Sequence, residues 1–278
     1  MRVLVTGATG YLGRAIVAAL DAAGHVPVAF ARKASRAGLT GETVDGDVRD
    51  ATAIERAAAG CAAICHTAAL VAVWRRDPRE FDEVNVGGLA NVLAAARRAR
   101  IPRIVYTSSF MALPPTGGEA PQPWNDYQRT KAAADRLAGR AVAQGAPLVR
   151  LYPGVIYGPG PLTEGNLVGR MVADHLAGRL PGLLGAECRW SYAFVQDVAA
   201  GHVAALERGR IGGRYQLGGE NVRQMAIFEI VRELTGAALP RRIPAAAAVL
   251  VAAAEELRAL LTGRPPLLTI GTVEILQR

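Results

Sequence analysis

The chain has few lysines and few aromatic residues, and these shortages bear on the partners it can bind. Only two of its 32 basic residues are lysines, Lys33 and Lys131, so scattered arginines carry most of the formal net charge of +8. The sequence has neither a long basic run nor a stripe of basic residues interleaved with aromatics, the usual signs of a nucleic-acid interface. We therefore expect no nucleic-acid partner.

Cysteines and long apolar runs are also scarce. Cys61, Cys65 and Cys188 do not have the spacing of metal ligands, so we expect reduced structural cysteines and no metal. The longest apolar run, residues 243–254, is shorter than the ~20 residues that a membrane-spanning helix needs. A predicted strand follows Met1 directly and leaves no room for a signal peptide. Together these features predict a cytoplasmic protein without a membrane span.

Short apolar or β-branched runs alternate with longer alanine-rich stretches. Strand–helix alternation of this kind indicates an α/β fold with a doubly wound parallel sheet, which binds ligands at the carboxyl ends of its strands. The runs predict strands over residues 3–6, 26–31, 42–45, 62–66, 103–108, 148–152 and 214–217. The alanine-rich stretches predict helices over residues 12–23, 51–59, 81–100 and 126–144.

The pattern loosens after residue 152, because four prolines interrupt the segment that ends near residue 191. We expect a Rossmann-like dinucleotide-binding domain over residues 1–158 and 192–217, with the chain returning to the sheet through residues 194–217. Residues 159–191 and 218–278 are expected to form a smaller, mostly helical C-terminal substrate lobe. Pocket shape should depend on residues 114–124 and 162–190.

A glycine-rich turn, TGATGYLG, joins the first predicted strand to the first helix. Its first two glycines let the backbone approach a pyrophosphate, and the third allows close helix–strand packing. The helix N-terminus attracts phosphate. An ordinary βα turn is the alternative, but the position after an N-terminal strand favours a nucleotide site. The candidate cofactor-binding residues of this turn are Gly7, Thr9, Gly10, Tyr11, Leu12 and Gly13.

The end of the second predicted strand favours NADP(H) over NAD(H). NAD-specific proteins carry an acid here that binds the ribose 2′-hydroxyl. In this chain Ala31 is followed by Arg32 and Lys33, which are suited to bind a 2′-phosphate. The alternative is a solvated basic loop in an arginine-rich protein.

Two further strand ends carry candidate cofactor contacts. Asp47 is a candidate acceptor for the adenine amino group, with a helix N-cap as its alternative, and Asp50 is the expected cap. Small residues after the fourth strand let the backbone lie against a cofactor, whereas His66 is interpreted as structural. The candidates in that segment are Thr67, Ala68 and Ala69.

Tyr127 and Lys131 lie four residues apart on a predicted helix and so share one face. A nearby ammonium should lower the pKa of the phenol and make it a usable general acid–base. A surface pair on an amphipathic helix is the alternative. The hydroxyls of the preceding strand end, Thr107-Ser108-Ser109, favour the catalytic interpretation because one of them can hold a substrate carbonyl.

The order of the motifs resembles the extended short-chain dehydrogenase/reductase family, within the NAD-dependent epimerase/dehydratase superfamily. The resemblance extends from residue 1 to about residue 236 and is closest to the dihydroflavonol 4-reductase-like branch, which includes hydroxysteroid dehydrogenases. It is carried by TGATGYLG, GDVRD, HTAA, TSS, YQRTK, LYPGVIYGP and FVQDVA.

The resemblance implies a role for each catalytic candidate. Tyr127 would be the acid–base, Lys131 the ribose binder and modulator of the tyrosine, and Ser109 rather than Ser108 the hydroxyl that orients the carbonyl. Asn85 would support a proton relay. The family often pairs through the helices matched by residues 81–100 and 126–144, so a homodimer is an expectation. Further implied cofactor contacts are Val48, Thr107, Tyr127, Tyr152, Pro153, Gly154 and Val155.

We expect an NADP(H)-dependent oxidoreductase that reduces a ketone or aldehyde, dihydroflavonol-like or steroid-like. Sugar-nucleotide enzymes usually carry an arginine–acid pair where Trp190-Ser191 stands in this chain, and a histidine near Phe194, so an apolar wall here fits a carbonyl compound better. Only 18 positions separate Ser109 from Tyr127, which suggests an open pocket. The first alternative is an NAD(P)-dependent sugar-nucleotide epimerase or dehydratase. A non-catalytic dinucleotide-binding protein is the second, and the intact set of Ser109, Tyr127 and Lys131 argues against it.

Overall fold

A computed structural model describes residues 1–115, 118, 120 and 123–276. Its main feature is a parallel sheet of seven strands in the order β3-β2-β1-β4-β5-β6-β9, which confirms the predicted doubly wound fold. The strand order reverses between β1 and β4, the point at which such sheets bind ligands. The strands are β1 (Arg2–Thr6), β2 (Val26–Ala31), β3 (Glu42–Asp45), β4 (Ala63–His66), β5 (Ile104–Thr107), β6 (Leu148–Pro153) and β9 (Arg214–Leu217).

Helices cover both faces of this sheet because successive strand residues point to opposite sides. In β1, Val3 and Val5 join the core beneath α1 (Tyr11–Ala22) and α7 (Val195–Arg208), whereas Leu4 joins the core on the other face. The helices of that second face are α2 (Ala51–Ala58), α4 (Gly88–Arg98) and α5 (Asp126–Ala143).

The helix predicted over residues 81–100 is interrupted. It consists of α3 (Arg79–Asp82), a π-helical segment (Glu83–Gly87) and α4. Asn85 lies in the π-helical segment, and the low helix propensity of Gly87 and Gly88 lowers the cost of the irregularity. Periodicity alone does not reveal such a single-residue insertion.

A second sheet of three strands, which the sequence analysis did not predict, lies beside the first. Its strands are β7 (Val155–Tyr157), β8 (Arg189–Phe194) and β10 (Glu220–Arg223), in the order β10-β8-β7. Strand β7 has only three residues and β10 is mostly polar, so neither shows an apolar alternation. The predicted return to the main sheet holds for β9, while α7 occupies most of the preceding segment.

The rest of the C-terminal lobe is helical, as predicted. Two small apolar clusters hold it together, one around Phe228 and one around Val273. Its helices are α6 (Leu167–Leu176), α8 (Gln224–Thr235), α9 (Ala245–Thr262) and α10 (Ile270–Ile275). Within the part of the chain that the structure describes, no helix has the length and apolar character needed to traverse a bilayer.

Candidate active site

The glycine turn forms a tight cradle at the carboxyl end of β1. Gly7 has a φ of 72°, and a Cβ there would lie 2.7 Å from the Cα of Ala68. A Cβ on Gly13 would lie 2.1 Å from the carbonyl oxygen of Gly7, so only glycine lets α1 start this close to the strand. Among the described residues no side chain caps α1, whose first amides are therefore left for an anion.

The side chains beside this cradle are fixed by the fold. Tyr11 is buried, and its hydroxyl donates to the carbonyl of Gly158 at 2.9 Å, which ties the start of α1 to the segment after β7. Leu12 is also buried against the sheet. Contacts of these two residues with a phosphate would therefore come from the backbone.

Arg32 and Lys33 lie where the sequence analysis expects a 2′-phosphate, at the exposed end of β2. Neither forms a hydrogen bond or an ion pair with any residue that the structure describes. Sequence reasoning missed Asp45, which register places opposite Ala31 on the neighbouring strand. Its carboxylate accepts hydrogen bonds from the amide and hydroxyl of Ser35 at 2.9 and 2.7 Å, and these hydrogen bonds lower its pKa.

The acids after β3 divide their roles. Asp50 caps α2 by accepting from the amides of Thr52 and Ala53 at 2.9 and 3.1 Å, which confirms the predicted cap. Asp47 instead pairs with Arg49 at 2.8 Å, and hydrogen bonding to Arg49 lowers its pKa. Its contact with adenine stays a prediction.

The remaining cofactor candidates near these acids and after β4 lie close to the cradle. Val48 is buried and lies against the position of Gly88, at the start of α4. Thr67, Ala68 and Ala69 are partly exposed and follow β4 next to Gly7. They therefore form an edge at which a bound nucleotide has access to the backbone.

His66 is a structural residue, as interpreted from the sequence. It is fully buried, stacks on Tyr106 and shares a hydrogen bond of 2.7 Å between its Nδ1 and the Thr6 hydroxyl. Burial, with a smaller contribution from Lys131, lowers its pKa to about 3. The imidazole is therefore neutral and joins β1 to β4 beneath the site.

Tyr127 and Ser109 meet at the end of β5. Ser109 is buried at the start of a short 3₁₀ turn, and Tyr127 is the second residue of α5. Burial raises the pKa of Tyr127, and the nearby Ser109 hydroxyl acts in the opposite direction. The sequence analysis expected the pKa to be lowered by Lys131. That expectation was wrong for this structure, because desolvation of the phenol dominates.

Lys131 is buried one helical turn beyond Tyr127. Its ammonium donates to the carbonyl of Thr107 at 2.8 Å and reaches the hydroxyl of Tyr106 at 3.5 Å. Burial lowers the pKa of Lys131 to about 8. The Thr107 hydroxyl itself bonds to His202 at 2.8 Å, so Thr107 offers the site its backbone rather than its side chain.

The two serines at the end of β5 point to different partners. Ser109 faces Tyr127, whereas the Ser108 hydroxyl donates to Asp135 at 3.1 Å. The expected preference for Ser109 over Ser108 stays a prediction. The sequence analysis did not single out Asp135, although its spacing of four residues from Lys131 was a usable signal.

Asn85 joins the catalytic helix to the loop after β4. Its side-chain oxygen accepts from the amide of Leu70 at 2.7 Å, and its amide group donates to the hydroxyl of Thr130 at 2.9 Å and to the Leu70 carbonyl at 3.3 Å. Thr130 directly precedes Lys131. These bonds make Asn85 a support for α5, and its part in a proton relay stays a prediction.

The candidates at the end of β6 differ in what they can offer a cofactor. The Tyr152 hydroxyl donates to Asp135 at 2.8 Å, so this side chain is held within the fold. Pro153 ends β6, Gly154 lies between the two sheets, and Val155 begins β7. A Cβ on Gly154 would lie 2.3 Å from the carbonyl of Ser191, which explains the glycine.

The family model described as "NAD dependent epimerase/dehydratase family" matches residues 3–218. The chain belongs to this family. It is therefore an enzyme of the extended short-chain dehydrogenase/reductase type, whose members depend on NAD(P). The matched residues contain the glycine cradle, the catalytic candidates and all seven strands of the main sheet.

Reductases and epimerases both occur among the family members that this chain resembles. Sterol demethylase protein B of Methylococcus capsulatus is 35% identical over 254 residues, which cover 87% of this chain and 76% of that protein. A putative dihydroflavonol 4-reductase of Synechocystis is 31% identical over 255 residues, covering 85% and 73%. The structure of Thermus thermophilus UDP-glucose 4-epimerase with NAD is 30% identical, with a TM-score of 0.73, and the match covers 88% and 86%.

Aromatic residues of β8 approach the segment that follows β5. Trp190, Tyr192 and Phe194 alternate along β8 and so share one face of that strand. Trp190 packs edge-on against Phe110, the neighbour of Ser109, with ring centroids 6.0 Å apart. Phe194 packs instead on Tyr157 at 5.5 Å, farther along the second sheet. Trp190 is thus the member of the set that contacts the sequence neighbour of Ser109.

The loop of residues 114–124 leads from the 3₁₀ turn to α5. Residues 116, 117, 119, 121 and 122 of this loop lie outside the described part of the chain. The expectation that this loop shapes the pocket therefore stays a prediction.

Proposed function

We propose that this enzyme is an NADP(H)-dependent reductase that converts an apolar ketone or aldehyde to an alcohol. The observation that carries the proposal is the meeting of Ser109 with Tyr127 at the end of β5, with Lys131 one turn away on the same helix. These three groups lie at the edge of the sheet where the glycine cradle begins α1. A non-catalytic nucleotide-binding protein would have no need of this arrangement.

The site fits a dinucleotide. Gly7 lies close to Ala68 and Gly13 close to Gly7, so neither position has room for a side chain and the turn presents its backbone to a ligand. Gly7, Thr9, Gly10 and the first residues of α1 would hold its pyrophosphate. A bound nicotinamide nucleotide supplies the hydride. Further contacts would come from Asp47, Val48, Thr67, Ala68, Ala69, Thr107, Lys131 and residues 152–155.

The chain's own residues supply the proton. The Tyr127 hydroxyl donates it to the substrate oxygen, since burial keeps the phenol protonated at neutral pH. Ser109 donates a hydrogen bond to the same oxygen and holds the carbonyl in place. Lys131, one helical turn from Tyr127 on α5, would stabilise the phenolate that remains after proton transfer.

An apolar substrate fits the aromatic wall. Trp190 and Phe110 place ring surface beside Ser109 without a charged group between them. The names of two relatives, a sterol demethylase protein and a putative dihydroflavonol reductase, point to polycyclic or flavonoid-like carbonyl compounds. We infer the same substrate class here, with residues 159–191 and 218–278 as the substrate lobe and residues 1–158 and 192–217 as the cofactor domain. A homodimer and a cytoplasmic location stay predictions.

A screen of NADPH oxidation tests the proposed function. Purified enzyme is supplied with NADPH and a panel of dihydroflavonols, 3-oxosteroids, aliphatic 3-oxo acids and UDP-sugars. We expect the absorbance of the reduced nicotinamide to fall only when a carbonyl compound is added. Activity confined to UDP-sugars would contradict the proposal.

The cofactor preference is tested by Arg32→Asp. Each charge-assisted hydrogen bond to a 2′-phosphate contributes on the order of 1.5–3 kcal/mol. We therefore expect NADPH affinity to fall by about 10-fold or more, while NADH affinity is unchanged or improved. Fluorescence titration of both cofactors measures this, with exposed Arg36→Asp as a control for the change of charge. Equal affinity of the unmutated protein for NADPH and NADH would contradict the preference.

The two serines offer a matched pair of variants. Ser109→Ala is expected to lower turnover by about 10- to 100-fold, because one hydrogen bond to the reacting oxygen is lost, with NADPH affinity nearly intact. Ser108→Ala removes a hydroxyl that points to Asp135 and should keep turnover within about threefold of the unmutated enzyme. Steady-state kinetics measure the turnover of both variants. A larger loss of turnover in Ser108→Ala than in Ser109→Ala would show that Ser108 is the reacting serine.

An epimerase or dehydratase of sugar nucleotides is the second candidate. Structural similarity to the Thermus thermophilus epimerase favours it. Such an enzyme uses the same tyrosine and lysine but regenerates its cofactor within each cycle. Cofactor that copurifies with the protein, together with conversion of a UDP-sugar and no net oxidation of NADPH, would favour this function over the reductase.

A further inference from the structure

Asp135 is a buried carboxylate one helical turn beyond Lys131. Its side chain is only 13% exposed. Three groups hold it in place: the hydroxyls of Ser108 and Tyr152 donate to one oxygen at 3.1 and 2.8 Å, and Arg150 lies 3.6 Å from the other. Taking a carboxylate out of water costs free energy, and these three partners offset part of that cost. The proposed reaction assigns it no role.

The charged Lys131 has only neutral groups as direct partners. Among the residues that the structure describes, its ammonium bonds to the Thr107 carbonyl and the Tyr106 hydroxyl and forms no ion pair. His66, which also faces it, is uncharged at neutral pH. Burial lowers the pKa of Lys131, and the charge on Asp135 acts in the opposite direction.

Helix geometry explains why Asp135 acts on this lysine. Residues four apart on a helix lie on one face, with Cβ atoms about 5–6 Å apart, so Tyr127, Lys131 and Asp135 form a single row on α5. Ser108 and Tyr152 hold the carboxylate from β5 and β6. On the outer side, Arg214 donates to the Tyr152 hydroxyl at 3.0 Å and completes the network.

We propose that Asp135 is a positioning residue, the buried counter-charge that keeps the ammonium of Lys131 charged beneath Tyr127. The proposal rests on the proposed function, because it assumes that Lys131 binds the cofactor ribose and serves the tyrosine. Arg150 is the one cation in contact with Asp135 within the described ranges, and it opposes this effect by sharing the carboxylate. The pKa of Lys131 thus depends on the groups at β5 and β6 that contact Asp135, as well as on Asp135 itself.

The test is the pH dependence of NADPH binding, measured by fluorescence without substrate. Cofactor affinity should fall as pH rises through the pKa of Lys131, because the neutral amine has one N–H donor fewer than the ammonium and no charge, while the Thr107 carbonyl still takes one donor. In Asp135→Asn this fall should begin at a pH lower by about one unit, because loss of a nearby negative charge favours the neutral amine. Asp135→Glu keeps the charge and should restore the profile at least in part.

Two further variants separate this role from a structural one. Asp126→Asn makes the same change on the same helix, beside Tyr127, where the carboxylate is 41% exposed and pairs with Arg129. The pH dependence of NADPH binding by Asp126→Asn should match that of the unmutated protein. Arg150→Met removes the competing cation and should move the fall in affinity to higher pH, which tests the proposal even if Asp135→Asn does not fold.

The outcomes are distinguishable. A profile of Asp135→Asn that coincides with that of the unmutated protein, with only a lower melting temperature, would overturn the inference and leave the proposed function standing. A profile of Arg150→Met that does not move, or that moves to lower pH, would also overturn it. An unmutated protein that binds no NADPH at any pH would instead contradict the proposed function itself.

Discussion

Tyr127→Phe is expected to lower turnover by at least ~10²–10⁴-fold, the usual contribution of general acid–base catalysis. The substitution removes the ionisable hydroxyl of Tyr127, which lies near Ser109, and keeps its aromatic ring on α5. The fold and the cofactor cradle should therefore persist. We expect NADPH affinity within about threefold of the unmutated value, because the phenol contributes little to ground-state cofactor binding.

Turnover and NADPH affinity are measured on the same preparations, with a ketone that the unmutated enzyme reduces. Tyr215→Phe provides a matched control, since the Tyr215 hydroxyl accepts from the amide of Arg210 at 3.0 Å and lies on β9, away from the catalytic residues. Its turnover should not change. Near-normal turnover of Tyr127→Phe would exclude the tyrosine as the proton donor, whatever the cofactor.

Lys131→Met is expected to damage both turnover and cofactor binding. Methionine fills the buried space of the lysine stem but donates no hydrogen bond. Turnover should fall by about 100-fold or more, and NADPH affinity by about 10- to 100-fold, because two or more charge-assisted bonds to the ribose are lost. The carbonyl of Thr107 also loses its partner at 2.8 Å, so the free energy of unfolding should fall by about 1–3 kcal/mol.

Lys33→Met is the natural control, because Lys33 is the other lysine of the chain. It is exposed near the predicted 2′-phosphate, so we expect a smaller loss of NADPH affinity and normal turnover at saturating NADPH. Kinetics at saturating and limiting NADPH separate the two lysines. A Lys131→Met variant that loses only stability would show that the lysine is structural.

Much of the main sheet could be predicted from sequence, because its five central strands are buried on both faces and appear as short apolar runs. The cradle was predictable for a related reason, since Gly7 and Gly13 are required where backbones approach closely. The second sheet was not, because β7 is short and β10 is polar, and pairing rather than pattern makes them strands.

The electrostatics of the site could be predicted only in part. One-face spacing placed Tyr127 near Lys131, but the direction of the tyrosine's pKa depends on burial, which spacing does not report. Asp45 and Asp135 were missed because other elements of the fold supply their partners. Ser35 reaches Asp45 across the ends of β2 and β3, and Ser108 and Tyr152 reach Asp135 from β5 and β6.

The proposed reduction of a ketone by NADPH is tested most directly by the stoichiometry of the reaction. Unmutated enzyme, freed of any copurified nucleotide, is incubated with NADPH and an apolar cyclic ketone, and both NADPH oxidised and alcohol formed are measured. We predict one alcohol formed for each NADPH oxidised. With Tyr127→Phe, neither the oxidation of NADPH nor the formation of alcohol should rise above background. Turnover of a UDP-sugar without net consumption of NADPH, and no alcohol from any ketone, would contradict it.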